Sequence, residues 1–220
     1  MENLENQQPI QENYSAQEKG LRMVARALSA IFPPFMVPFY SVLLLFLFTY
    51  LSVMPLPYKA FILGVVYLFT VCFPMLAIFL YQKIFGKGIK DLKQKEKRYI
   101  PYALTIISYC ACVIILYRMY VPRYLSGIIV ATIFAMILCG LINFKCKVST
   151  HVACCGMMIG GLLSYSFILQ FNPIWWLCGF ILLSGLLGSA RIILEQHTLT
   201  EVIVGFIAGM FCGIIGILFI

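Results

Sequence analysis

The sequence predicts an all-α fold, a multi-pass transmembrane helix bundle of about six or seven spans. Three observations carry that expectation. The chain of 220 residues is 62% hydrophobic and 11% charged, which excludes an ordinary soluble domain. Its apolar residues gather into stretches close to the roughly 20 residues that a helix needs to cross the hydrocarbon core. Two of those stretches carry glycine at four-residue intervals, Gly156-x3-Gly160 and Gly205-x3-Gly209-x3-Gly213, a spacing that lets membrane helices approach closely. Backbone groups in lipid must be satisfied internally, so the stretches are read as helices of one bundle.

In chain order, residues 1–20 are polar, rich in Gln, Asn and Glu, and show no cleavable signal pattern; they read as a short mobile tail. From Leu21 to Phe32, Leu21, Val24, Leu28 and Ile31 share one helical face while Arg22 and Arg26 lie elsewhere. That pattern suits either a helix in the headgroup layer or a simple lead-in to the first span. Residues 1–33 thus form an amino-terminal region, and residues 34–220 the transmembrane domain. Seven stretches qualify as spans: approximately Pro34–Met54, Tyr58–Tyr81, Pro101–Tyr117, Tyr124–Phe144, His151–Leu169, Ile174–Ile192 and Thr198–Ile220. Pro38 in the first and Pro74 in the second predict a kink or an irregularity near those points. Trp175 and Trp176 follow Asn172-Pro173 as an interfacial anchor. Of nine cysteines, Cys72, Cys110, Cys112, Cys139, Cys178 and Cys212 fall within apolar spans, where cysteine behaves as a small hydrophobe. Cys154 and Cys155 point to different faces of one helix, Cys146 lies in a loop, and no metal-ligand spacing emerges.

The polar residues that remain are few and placed at span ends. The only two histidines are His151, closing the run Lys147-Val148-Ser149-Thr150-His151, and His197, within Ser189-Ala190-Arg191-x5-His197-x3-Glu201. Two spans separate Arg98 from Ser149, and two more separate His151 from Arg191. An even number of crossings returns the chain to the same surface, so the basic loop Gln82–Arg98 and both histidine segments share one face. Separated polar clusters meeting between helices are the pattern of a ligand or active site.

On these residues the chain resembles the type 2 phosphatidic acid phosphatase superfamily, integral membrane phosphatases related to vanadium haloperoxidases. That family carries Lys-x6-Arg-Pro, then Pro-Ser-Gly-His, then Ser-Arg-x5-His-x3-Asp. Arg191, His197 and Glu201 reproduce the spacing of the third motif, with Ala190 at its serine and Glu201 at its aspartate. Ser149 and His151 match the second, with Val148 for proline and Thr150 for glycine. In the first, Arg98 precedes Pro101 by three residues, and Asp91 stands at the lysine position among Lys90, Lys93, Lys95 and Lys97.

The resemblance implies a metal-independent lipid phosphatase that uses no cofactor. His197 would attack phosphorus and carry a phosphohistidine, oriented by Glu201, while His151 would protonate the leaving oxygen. Arg98, Arg191, Lys90, Ser149 and Thr150 would bind the phosphate. The same residues have plainer readings. Thr198-x-x-Glu201 is also a capping box, Ser149 and Thr150 are suited to cap a helix, and Arg191 is able to snorkel to the headgroups. The partners implied are a lipid or isoprenoid phosphate and membrane lipid, with no nucleic acid. A phospholipid-binding relative without hydrolysis and a lipid phosphotransferase are the alternatives. Of 16 Lys and Arg, all but Lys59, Arg118 and Arg123 lie on the motif face or in the amino-terminal region. The positive-inside rule therefore points that face to the cytoplasm of an inner-membrane protein, whereas many bacterial members of the family face outward.

Overall fold

The computed structural model describes residues 8–85, 99–145 and 147–218; within them every regular element is a helix. Helix α1 (Gln8–Ile31) begins with Pro9 in its first turn, where the missing N–H has no partner to lose. It takes in residues 8–20, which the sequence reading had assigned to a mobile tail. It stops ahead of Pro33 and Pro34, because a residue before proline is driven out of the α region. A 3-10 turn (Pro34–Met36) leads into α2 (Val37–Phe48). Pro38 therefore sits in the first turn of α2, and the irregularity expected near it takes the form of the 3-10 turn just before that helix.

The second span is one run: α3 (Leu56–Tyr67), a π-helical turn (Leu68–Cys72) and α4 (Phe73–Phe85). The irregularity expected at Pro74 takes this form, since Pro74 offers no N–H to the carbonyl of Thr70. A neighbour fills the gap. The hydroxyl of Tyr109 donates to Thr70 O at 3.4 Å, and that of Ser108 donates to Phe69 O. In hydrocarbon such repair is required, because no water is present to take the freed carbonyls. Both donors belong to α5 (Tyr99–Arg118).

The remaining helices are α6 (Arg123–Lys145), α7 (Thr150–Leu169), α8 (Ile174–Ile193) and α9 (Leu199–Leu218). Seven stretches of the described residues are long and apolar enough to cross a membrane. The protein is an all-α, multi-pass bundle. Ten of the 20 residues of α7 are buried, against three of 20 in α8, so α7 is central and α8 peripheral. α9 packs on α7 and α6, α5 packs on α6, and α1 lies against α8. At the surface opposite the histidines, Trp176 stacks on Phe48 with ring centroids 4.1 Å apart.

The α7–α9 contact is set by main chain meeting main chain. A Cβ on Gly156 would fall 2.1 Å from Phe206 O, and one on Gly209 only 1.8 Å from Ala153 O. No side chain fits at those distances. Water gives no drive to associate helices already in lipid, so this intimacy supplies the van der Waals contact that holds the pair. Gly209→Ala should therefore overpack the interface and lower stability by about 1–3 kcal/mol. Gly179→Ala, where an added Cβ meets nothing within 4 Å, should be neutral. Thermal melting of the two variants in detergent, measured side by side, checks this, and equal melting temperatures would refute the packing account.

Candidate functional site

The face that holds the carboxyl ends of α6 and α8 and the amino ends of α5, α7 and α9 encloses a polar cavity of about 460 Å³. α5 supplies Tyr102 and α6 supplies Asn143; Lys147, Val148 and Thr150 come from the entry to α7. Arg191 comes from α8, and Glu195, Gln196 and His197 from the turn after it. The convergence inferred from counting spans is thus observed for two of the three clusters. Lys90 and Arg98, with residues 86–98 of the basic loop, lie outside the described residues.

His197 is the best-defined member. The turn before it is held by main-chain bonds from Leu194 to Ala190, Glu195 to Ile192 and Gln196 to Arg191. Glu195 is left-handed, with φ 54°, at a position where glycine is usual. That backbone reversal carries Gln196 and His197 to the cavity wall at a cost of about 1 kcal/mol. His197 Nδ1 lies 2.9 Å from Glu201 Oε2, and its side chain is only 9% exposed. An ionised carboxylate can only accept, so Nδ1 carries the proton and Nε2 keeps its lone pair. The same Oε2 accepts from Thr198 N at 3.3 Å, and Thr198 Oγ1 accepts from Glu201 N at 3.4 Å. Both readings of Glu201 therefore hold together, the imidazole bond being the shorter and the capping-box bonds the longer.

The pKa of His197 is lowered. Burial is the main cause, and the charges of Arg191 and Lys147 act in the same direction, while Glu201 opposes them through its hydrogen bond and its charge. A lowered value keeps the ring neutral at pH 7, as a nucleophile or hydrogen-bonding base must be.

Arg191 sits on the same wall, and its buried Nε has no hydrogen-bond partner among the described residues. The guanidinium therefore keeps donor capacity for an anion in the cavity. Thr150 also lines the cavity. Ser149 does not. It occupies the N-cap position of α7, yet its hydroxyl makes no capping bond and is buried without a partner among the described residues. Its main chain takes the structural role, donating from N to Glu201 O at 3.4 Å and accepting from Ala153 N at 2.9 Å.

His151 lies one residue beyond Thr150 and faces the other way. It lines an apolar cavity of about 200 Å³ with Tyr40, Leu44, Cys155 and Leu187, and its Nδ1 is buried without a partner among the described residues. Arg191 and His197 remain within electrostatic range of its ring, and the backbone of Ser29 reaches it. A second apolar cavity, about 290 Å³, shares Tyr102 and Thr150 with the polar one. The site residues that the sequence reading missed are Tyr102, Asn143, Lys147, Glu195 and Gln196. Asn143, 4% exposed near the end of an apolar span, carried a usable signal, because a polar side chain at that depth generally has a purpose.

No known protein family, curated protein or solved structure matches the chain.

With two histidines in the sequence, ¹⁵N-histidine NMR on protein without a histidine tag resolves each ring, and His151→Gln assigns them. His197 should titrate below the ordinary value of about 6.5. Glu201→Gln removes the group that raises its pKa, so the midpoint should move lower still; an upward move would contradict the arrangement described.

Proposed function

We propose that this membrane protein is a phosphatase that removes phosphate from a lipid or isoprenoid phosphate through a phosphohistidine on His197. The observation that supports the reading most is the His197–Glu201 pair at 2.9 Å on the wall of a cavity that also presents Arg191 and Lys147. A neutral imidazole with Nδ1–H held by a carboxylate directs Nε2 at an electrophile, and cations beside it receive an anionic substrate.

In this scheme Nε2 of His197 attacks phosphorus as the bond to the leaving oxygen breaks. Arg191, through its unpartnered Nε, and Lys147 hold the non-bridging oxygens. The leaving oxygen carries the hydrocarbon and so points toward the apolar side, where His151 stands within range of both His197 and Arg191. His151 gives that oxygen its proton, then takes one from the water that cleaves the phosphorus–nitrogen bond. The charge of the phosphoryl group stays with the cations in the polar cavity, and the chain is left against apolar walls. A phospholipid-binding protein without hydrolysis is the second reading. Its support is that His151 lines the apolar cavity rather than the polar one.

Phosphate release by the purified protein from a panel of lipid phosphates and isoprenoid diphosphates, with EDTA present, separates the two readings. His197→Ala should abolish release and any acid-labile phosphoenzyme. His151→Ala should slow release by roughly 10²–10⁴-fold, yet still permit phosphorylation from a substrate with a good leaving group. Near-normal rates in both variants would make the histidines structural. Binding of the same lipids without release by the wild type would favour the second reading.

A further inference from the structure

α1 touches both sides of the candidate site. Its inward face is Ala25, Leu28, Ser29 and Phe32, with Ala25 only 4% exposed. Small side chains at positions 25 and 29 let the helix come close, and the backbone of Ser29 reaches the His151 ring. About two turns earlier, Arg22 Nη2 donates to Glu195 Oε1 at 2.8 Å, and Glu195 lines the polar cavity. One helix thus meets the His151 side and the His197 turn together.

These contacts leave its outer surface unexplained. The Arg22–Glu195 pair is exposed, 48% and 76%, and a pair that open is screened and weak. Along one flank Leu21, Val24 and Ile31 are exposed by 55%, 67% and 59%. Along the other lie Lys19, Arg22 and Arg26, also exposed. An apolar stripe beside a basic stripe, on a helix next to a membrane bundle, fits the boundary between headgroups and acyl chains. Basic residues at that depth select anionic lipid.

We propose that α1 is a strap whose outer face is occupied by an anionic lipid headgroup layer, and that this lipid holds the strap docked on the rim of the site through Arg22 to Glu195 and Ser29 to His151. Lys19 and Arg26 engage the headgroups, Leu21, Val24 and Ile31 enter the apolar boundary, and Arg22 latches the turn that carries His197. On a neutral surface the helix is held only by its weak inner contacts, and it lifts. Its effect on turnover rests on the phosphatase reading; its docking does not.

The test uses the full chain in vesicles of phosphatidylcholine alone and of phosphatidylcholine with phosphatidylglycerol. Amide hydrogen exchange over residues 19–31 reads the docking, and hydrolysis of a short-chain, water-soluble phosphate ester reads the coupling. Exchange should slow and hydrolysis rise several-fold in the anionic vesicles, and high salt should erase both differences. In the Lys19→Gln/Arg26→Gln double variant both differences should vanish. In Arg22→Gln docking should weaken in either vesicle. Exchange that is equal in the two vesicle types, or a difference that survives in the double variant, overturns the proposal. Protection that ignores lipid charge and grows with protein concentration assigns the outer face to a second copy, and overturns it too. Exchange that responds while hydrolysis proceeds equally in both vesicles refutes the coupling. Exchange that responds with no hydrolysis in any vesicle leaves the strap standing and removes the phosphatase reading instead.

Discussion

The main chains of α7 and α9 pack so closely that each helix fixes the axial position of the other, and the candidate site depends on that register. Lower in the pair, Gly160 and Gly213 face Met210 O and Met157 O at distances no Cβ tolerates. At the upper end a Cβ on Gly205 would lie 2.9 Å from Ser149 O, and Ser149 N donates to Glu201 O. His151 is in the first turn of α7, and His197 immediately precedes the N-cap of α9. Slippage along the glycine seam would carry one histidine past the other. Packing deep in the membrane thereby sets the geometry at its surface.

Glu201 joins that packing to the chemistry. At the third position of α9 its carboxylate turns back to both Thr198 N and His197 Nδ1. The cap that starts the helix and the bond that selects the imidazole tautomer are made by one oxygen, so ordering the first turn of α9 also orders His197. The resembling family has aspartate at this position. The longer glutamate spans the loop back to residue 197 while keeping the capping-box geometry.

Polarity divides sharply around these residues. On α8, Arg191 faces the polar cavity, and Leu187, one turn earlier, faces the apolar cavity beside His151. On α7, Thr150 and His151 are neighbours in sequence and part in the same way. The hydroxyls of Thr105 and Thr132, in the wall of the larger apolar cavity, donate to Pro101 O and Ile128 O, so neither presents a free donor to that lining. An amphiphile with an anionic head and a hydrocarbon chain matches this division.

What the sequence determined by itself was whatever local periodicity and composition control. The spans, their order, and the shared face of the polar clusters follow from apolar length, because lipid permits only internally bonded helices. The pairing of His197 with Glu201 follows from four-residue spacing at a helix start, and the close helices follow from four-residue glycine intervals. Tertiary structure decided the rest. Pro38 reads as a kink or an irregularity, and the bundle makes it a 3-10 turn followed by a helix start at Val37. Ser149 reads as a cap, but its main chain is drawn to Glu201, and its hydroxyl is left without a partner among the described residues. Tyr102 lies far along the chain from Asn143 and Lys147 and meets them only when α5 is packed on α6. His151 follows Thr150 directly, yet the helix turn of about 100° between adjacent residues sends its ring to a different side. Which side of a helix faces which neighbour is a property of the bundle, and no stretch of sequence contains it.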